Sequence, residues 1–214
     1  MAVGPSVALG SRRPVSNGTE QQKAEQVVDK MAPERFPLLS AEAMTEEQRA
    51  VMAEILAGPR KGSQGPFKAM IRSPGLMQHA QKMGAHVRFE SAIPPRLNEM
   101  AILLTARRWT AQFEWYAHHK LAMAAGLDPA IAEAIKRRER PATMQADEAE
   151  IYDFCQPMLE TGSVSDAAYD AVLARFGERG VIDLVGAVGY YSFVSMVLNV
   201  DRTPMPDGVA PPLQ

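Results

Sequence analysis

From residue 45 to residue 199 the chain is cut into short runs by prolines, glycines and capping residues. Within each run the apolar side chains recur at helical rather than alternating spacing. Thr45-Glu46-Glu47-Gln48 has capping-box spacing, Val51, Met52, Ile55 and Leu56 follow on one face, and Gly58-Pro59 closes that helix. Ser73-Pro74 places a cap and an N1 proline ahead of Met77, Ala80, Met83, Gly84 and Val87. Pro94-Pro95 opens a third helix with Leu97, Met100, Ala101 and Leu104 inward. A fourth runs over about 112–125 and stops at Gly126, a C′ glycine, and Asp128-Pro129 starts a short fifth to about Lys136. A sixth covers 143–159, where Pro157 is expected to kink or break the last turn before Thr161-Gly162. Ser165 caps a seventh that reaches Phe176-Gly177, and 178–199 is the eighth and most apolar. No run alternates with β-branched enrichment, and no hairpin turn pair lies between such runs. The expected fold is all-α, a bundle of about eight helices.

The tails read differently. Residues 1–33 are rich in Gly, Ser, Pro, Gln and charge, without a sustained period, and predict a flexible arm. Arg12 and Arg13 are thin for a transit peptide, and no apolar stretch of a secretory signal is present there. Residues 34–201 form the helical domain. Pro204, Pro206, Pro211 and Pro212 make 202–214 an extended tail.

Twenty-five acids against 23 bases leave a net charge of −2, so nothing calls for a nucleic-acid partner. The longest apolar candidate, Val181 to Val200, is interrupted by Asp183, Gly186, Gly189, Ser192, Ser195 and Asn199, and is read as a buried helix with no membrane partner. Cys155 is the one cysteine. It excludes an intramolecular disulfide, a Cys-x-x-Cys pair and a multi-thiolate zinc site, and suits a reducing, cytoplasmic compartment. Its own expected role is that of a small buried hydrophobe.

Chemistry concentrates in Gln112-Phe113-Glu114-Trp115-Tyr116-Ala117-His118-His119-Lys120. Glu114 and His118 are four apart, on one face of a helix. The carboxylate there can accept from one imidazole nitrogen and leave the other free to move a proton. Trp115 and Tyr116 can supply an apolar wall, and Arg107 or Arg108 at the preceding turn can grip a substrate carboxylate. Tyr190 and Tyr191, after Gly189, are further candidates for pocket lining. His79 and His86 have no such company and are read as structural or surface residues, and His119, roughly 100° round the helix from His118, as structural or interfacial.

The stretch Pro95-Arg96-Leu97-Asn98-Glu99-Met100-Ala101-Ile102-Leu103-Leu104, followed by Glu114 to Leu127, resembles the carboxymuconolactone decarboxylase family, which includes the AhpD-type alkylhydroperoxidases. In the redox branch of that family a glutamate on one helix precedes Cys-x-x-Cys-x-x-x-His on the next, which continues to Gly-Leu. Counting back from Gly126, His118 falls at the family histidine, Glu114 and Ala111 at the two cysteine positions, and Glu99 at the upstream glutamate. The match is good over 95–127 and loose over about 35–201. Without the cysteine pair a disulfide relay cannot operate, so the resemblance implies the decarboxylase-like branch, an all-helical homo-oligomer, dimer to hexamer, acting on a small molecule.

That reaction would lose carbon dioxide beside an unsaturated lactone, whose carbonyl is its own electron sink, so no cofactor is implied. His118 would donate the proton, Glu114 would orient it and Glu99 would complete a relay. Proton-transfer isomerisation or lactone hydrolysis would use the same residues. One histidine and two carboxylates would also suit a hard divalent ion. A non-catalytic helical oligomer, or a hydroperoxidase relative lacking its redox cysteines, are the other readings.

Overall fold

A computed structural model describes Met1, residues 33–58 and residues 65–214. By internal contacts the chain divides into two units, Met1–Pro33 and Glu34–Gln214. The expected N-terminal arm lies outside the described residues, apart from its two ends.

Eight helices and no strand occur among the described residues: α1 (Glu46–Ala57), α2 (Phe67–Met70), α3 (Pro74–Phe89), α4 (Pro95–Arg108), α5 (Gln112–Ala124), α6 (Pro129–Lys136), α7 (Ala146–Thr161) and α8 (Asp166–Asp201). The expected punctuation is physically present at most ends. Thr45 and Gln48 exchange the two bonds of a capping box, Asp128 and Ser165 cap α6 and α8, and Gly162 leaves α7 in the left-handed region.

Four details depart from the expected pattern. Ser73 makes no side-chain cap, so proline alone marks the start of α3. Helix α7 begins at Ala146, three residues later than expected, because Gln145 and Glu148 form the capping box. Pro157 sits inside α7 without ending it: the carbonyl it fails to bond belongs to exposed Asp153, where water can serve, and the Thr161 hydroxyl bonds back to the Pro157 carbonyl at 2.9 Å. Leu56, expected inward, is exposed.

Gly177 is the joint between the two limbs of α8. Its φ of 68° and ψ of 179° belong to a region open essentially to glycine alone, and any side chain there would carry strain on the order of 1–3 kcal/mol. The second limb is apolar and long enough to meet the length and composition test for a membrane span, yet just over half of its most apolar stretch is buried within the protein. The expectation of a buried helix holds for one face only. Leu184, Ala187, Val188, Tyr191, Val194 and Leu198 are buried, whereas Ile182, Val185, Met196 and Val200 are exposed.

Helix α4 is the hub. Every residue from Leu97 to Arg107 is buried, and α5, α6, α7 and α8 all pack on it. Its first turn is tied to α7 by Arg96, which pairs with Asp147 and buried Glu148. A tight turn, Trp109-Thr110, folds α5 back beside α4. Thr110 takes a positive φ of 49°, and its hydroxyl accepts from both Arg107 and Arg138, which hold it in that conformation. Glu99 and His118 stand nine and six residues from the helix ends that flank this turn, roughly 9–14 Å from it on either arm. Their levels differ by less than one helical turn, which the two side chains span.

The C-terminal segment is extended, as the prolines require, but it is docked. The Gln112 side chain donates to the Leu213 carbonyl and accepts from its N–H, both at 2.8 Å, and Leu213 is buried in the main core cluster. At the C-terminal end of α8, buried Asp201 accepts from the Phe36 N–H at 2.8 Å and the Thr203 hydroxyl at 2.6 Å, so the segment before α1 is pinned to the same bundle.

Candidate active site

Helix α5 carries an unusual inward face. Beside Trp115 and Ala122 it buries Glu114 and His118, two polar groups that could not sit there unpaired without a cost of several kcal/mol. Both are paired. His118 Nδ1 lies 2.6 Å from Oε2 of Glu99 on α4, and Nε2 lies 3.0 Å from Oε1 of Glu114, one turn back on α5. All three side chains are close to fully buried, with exposures of 6% for His118, 11% for Glu99 and 5% for Glu114. The structure thus brings Glu99, Glu114 and His118 together.

It also corrects one expectation. Neither imidazole nitrogen is left free, because Glu99 occupies the second one. Burial alone would push the ring toward neutrality. The charge of Glu114 and its hydrogen bond, with the bond and charge of Glu99, outweigh that and raise the His118 pKa to about 9. At neutral pH the ring is an imidazolium hydrogen-bonded to Glu99 and ion-paired with Glu114. The tyrosine edge completes its surroundings: Tyr191 meets the ring at 4.7 Å between centroids and 76°, and Tyr190 packs on Tyr191 at 5.2 Å and 84°.

One face of this cluster opens onto a cleft of about 280 Å³, near the lower end of small-molecule sites. His118, Glu114, Tyr190 and Tyr191 form its wall with Phe113, Ala117, Val194, Arg88 and the 65–67 segment. Glu99 stands behind His118 and is not part of the lining. So the expected wall residues Tyr190 and Tyr191 are on the cleft.

Three other expected contacts are not. Trp115 belongs to the core cluster around α4 and α6, and stacks on His119 at 6.2 Å between centroids. Arg107 is buried at the far end of α4, where it donates to the Gln214 carbonyl at 2.8 Å and anchors the C-terminal segment. Arg108 is exposed, donates to the Leu159 carbonyl at 3.0 Å and stacks over Trp109. Arg107 and Arg108 point away because the chain ends of α4 and α7, not the cleft, surround them.

Arg88 is the cleft residue that sequence reasoning missed. Its signal was weak: it follows inward-facing Val87 on α3, and only the packing of α3 turns it toward the cleft. His86, read as structural, bonds Asp183 of α8 at 3.0 Å, and Asp183 also accepts from the Ala92 N–H at 2.8 Å. His79 is exposed.

The thiol of Cys155 is fully buried and burial pushes its pKa up, which disfavours the reactive thiolate. Glu99 and Glu114 approach the imidazole from opposite nitrogens, so the three side chains do not converge on a common point. No group of three or more such side chains arranged to hold a metal ion occurs among the described residues. Compared with protein-family models and with curated proteins, the sequence matches none.

Proposed function

We propose that the cleft is the site of a cofactor-free acid–base reaction of the carboxymuconolactone decarboxylase type: decarboxylation, or proton-transfer isomerisation, of a small cyclic carboxylate or lactone. The observation that carries this reading is a Glu99–His118–Glu114 relay, buried at its back and exposed to a ligand-sized cleft at its front. Glu114 is the group positioned to give or take the proton at carbon. His118, held protonated, supplies the proton to Glu114, and Glu99 stabilises the charge on the ring. The imidazolium beside the cleft also lowers the energy of a dienolate as it forms.

A thiol-based peroxidase gains no support, since the lone Cys155 is buried away from the cleft. The exposed apolar stripe Ile182, Val185, Met196 and Val200 on α8 supports a homo-oligomer that covers it. Light scattering is expected to give a multiple of 23.4 kDa, and a purely monomeric mass removes that part of the reading.

The chemistry is tested by incubating the protein with unsaturated lactone acids in deuterated water, following carbon dioxide release and deuterium incorporation. Glu114→Gln, which keeps the shape and loses the ionisable carboxyl, is expected to lower the rate by about 10²–10⁴. A variant as fast as the parent would overturn the role assigned to Glu114.

A further inference from the structure

Among the described residues the arginine side chains are nearly all occupied. Arg35, Arg49, Arg72, Arg96, Arg107, Arg108, Arg137, Arg138, Arg140, Arg175 and Arg179 each donate to a carbonyl, a carboxylate or a hydroxyl, and Arg202 also has a partner. Among the described residues Arg88 alone has neither a hydrogen bond nor an ion pair. Its one specific contact is with the Phe89 ring, whose centroid lies 5.2 Å from the guanidinium carbon. It is also half-buried, on the wall of the cleft that holds Glu114 and His118.

A guanidinium carries five donors in a planar fork; on a half-buried wall water can serve them, and a carboxylate that displaces that water matches the fork with two charge-assisted bonds. The rest of the described cleft wall is aromatic or aliphatic, apart from the Glu114–His118 pair and the Tyr190 and Tyr191 hydroxyls. Glu114 repels an incoming anion and its imidazolium partner is already shared between two acids. Among the described residues of the wall Arg88 is therefore the one unengaged cation, and a ligand carboxylate orients toward it and away from Glu114.

We infer that Arg88 is the anion anchor of the cleft: it takes the carboxylate of a small organic acid by its fork and so selects acids over their neutral analogues. The inference rests on reading the cleft as the acid–base site, and adds what that site recognises. A carboxylate clamped in this way keeps its charge, so the group that reacts is another part of the ligand, facing Glu114 and His118.

Benzoate and its neutral analogue benzamide serve as probes in calorimetric titrations of the full chain at pH 7. Benzoate is expected to bind at least tenfold more tightly than benzamide. Arg88→Gln is expected to erase that preference by weakening benzoate at least tenfold while leaving benzamide unchanged, and Arg88→Lys to retain part of it. Arg179→Gln, a cation outside the cleft lining, is expected to change neither. Arg88 has no hydrogen bond or ion pair among the described residues, so Arg88→Gln is expected to leave the fold intact, which circular dichroism checks. Equal binding of the two probes by the parent, or unchanged benzoate binding by Arg88→Gln, overturns the anchor. Selective benzoate binding through Arg88 with no turnover of any lactone acid leaves the anchor standing and removes the acid–base reading instead.

Discussion

His118→Ala is expected to destabilise the fold by about 3–5 kcal/mol, besides abolishing turnover. The usual effect of replacing a surface histidine is within about 0.5 kcal/mol, and the difference lies in what the ring leaves behind. Glu99 and Glu114 are both buried and both face the imidazole. Without it they remain as two carboxylates in a low-dielectric space with no cation between them. Breaking a buried pair costs far more than the pair contributes over an apolar replacement, because the uncompensated charge stays.

Urea unfolding of the single variant and of the triple variant Glu99→Gln, Glu114→Gln, His118→Gln separates the two effects. The triple variant carries no charge in the cluster and is expected to regain most of the lost stability while remaining inactive. A loss below 1 kcal/mol for His118→Ala would show that the ring is not the cation of a buried network. An alanine at this position therefore confounds folding with chemistry, and Glu114→Gln is the cleaner probe of the reaction.

The helices were legible because their ends are chemically marked. Prolines at N1, capping side chains and left-handed glycines set seven of the boundaries within a residue or two, and Gly177 was readable as the joint of the longest helix. Helix α2 was not legible, since four residues are too few to display a period. The Glu114–His118 pair followed from i, i+4 spacing alone. Glu99 came from the register of a resemblance, and its arrival at the second ring nitrogen depends on how α4 and α5 pack, which no local pattern encodes. The same limit explains the misplaced residues. Trp115 is adjacent to Glu114 in sequence but faces the α4–α6 core. Arg107 is claimed by a C-terminal segment more than a hundred residues away. Arg88 reads as one more charged residue on an amphipathic helix until α3 is set against the cleft. Local chemistry marks the elements, and tertiary packing decides which polar side chains share a site.

The same ring that carries the candidate chemistry makes the stability of the fold fall on the alkaline side. An unfolded histidine titrates near 6.5, and His118 in the fold holds its proton to about 9. A group whose folded pKa is raised contributes its full stabilisation below the unfolded value and loses it as pH climbs through the folded one. The window is thus about pH 6.5 to 9, and a shift of that size corresponds to on the order of 3 kcal/mol. The His86–Asp183 pair acts in the same direction, since Asp183 and Glu90 raise the His86 pKa, but His86 is 44% exposed and solvent weakens its share. The melting temperature of the parent is expected to drop steadily between pH 7 and pH 10, and that of the triple glutamine variant to drop much less. Nuclear magnetic resonance of the His118 ring protons gives the direct reading. A midpoint near 9 supports the doubly held imidazolium, and one near 6.5 removes it. If the midpoint is high, His118 cannot act as a base at neutral pH. Proton abstraction then falls to the Glu114 carboxylate, and proton delivery from the ring should fail above pH 9, so the rate and the stability should decline together.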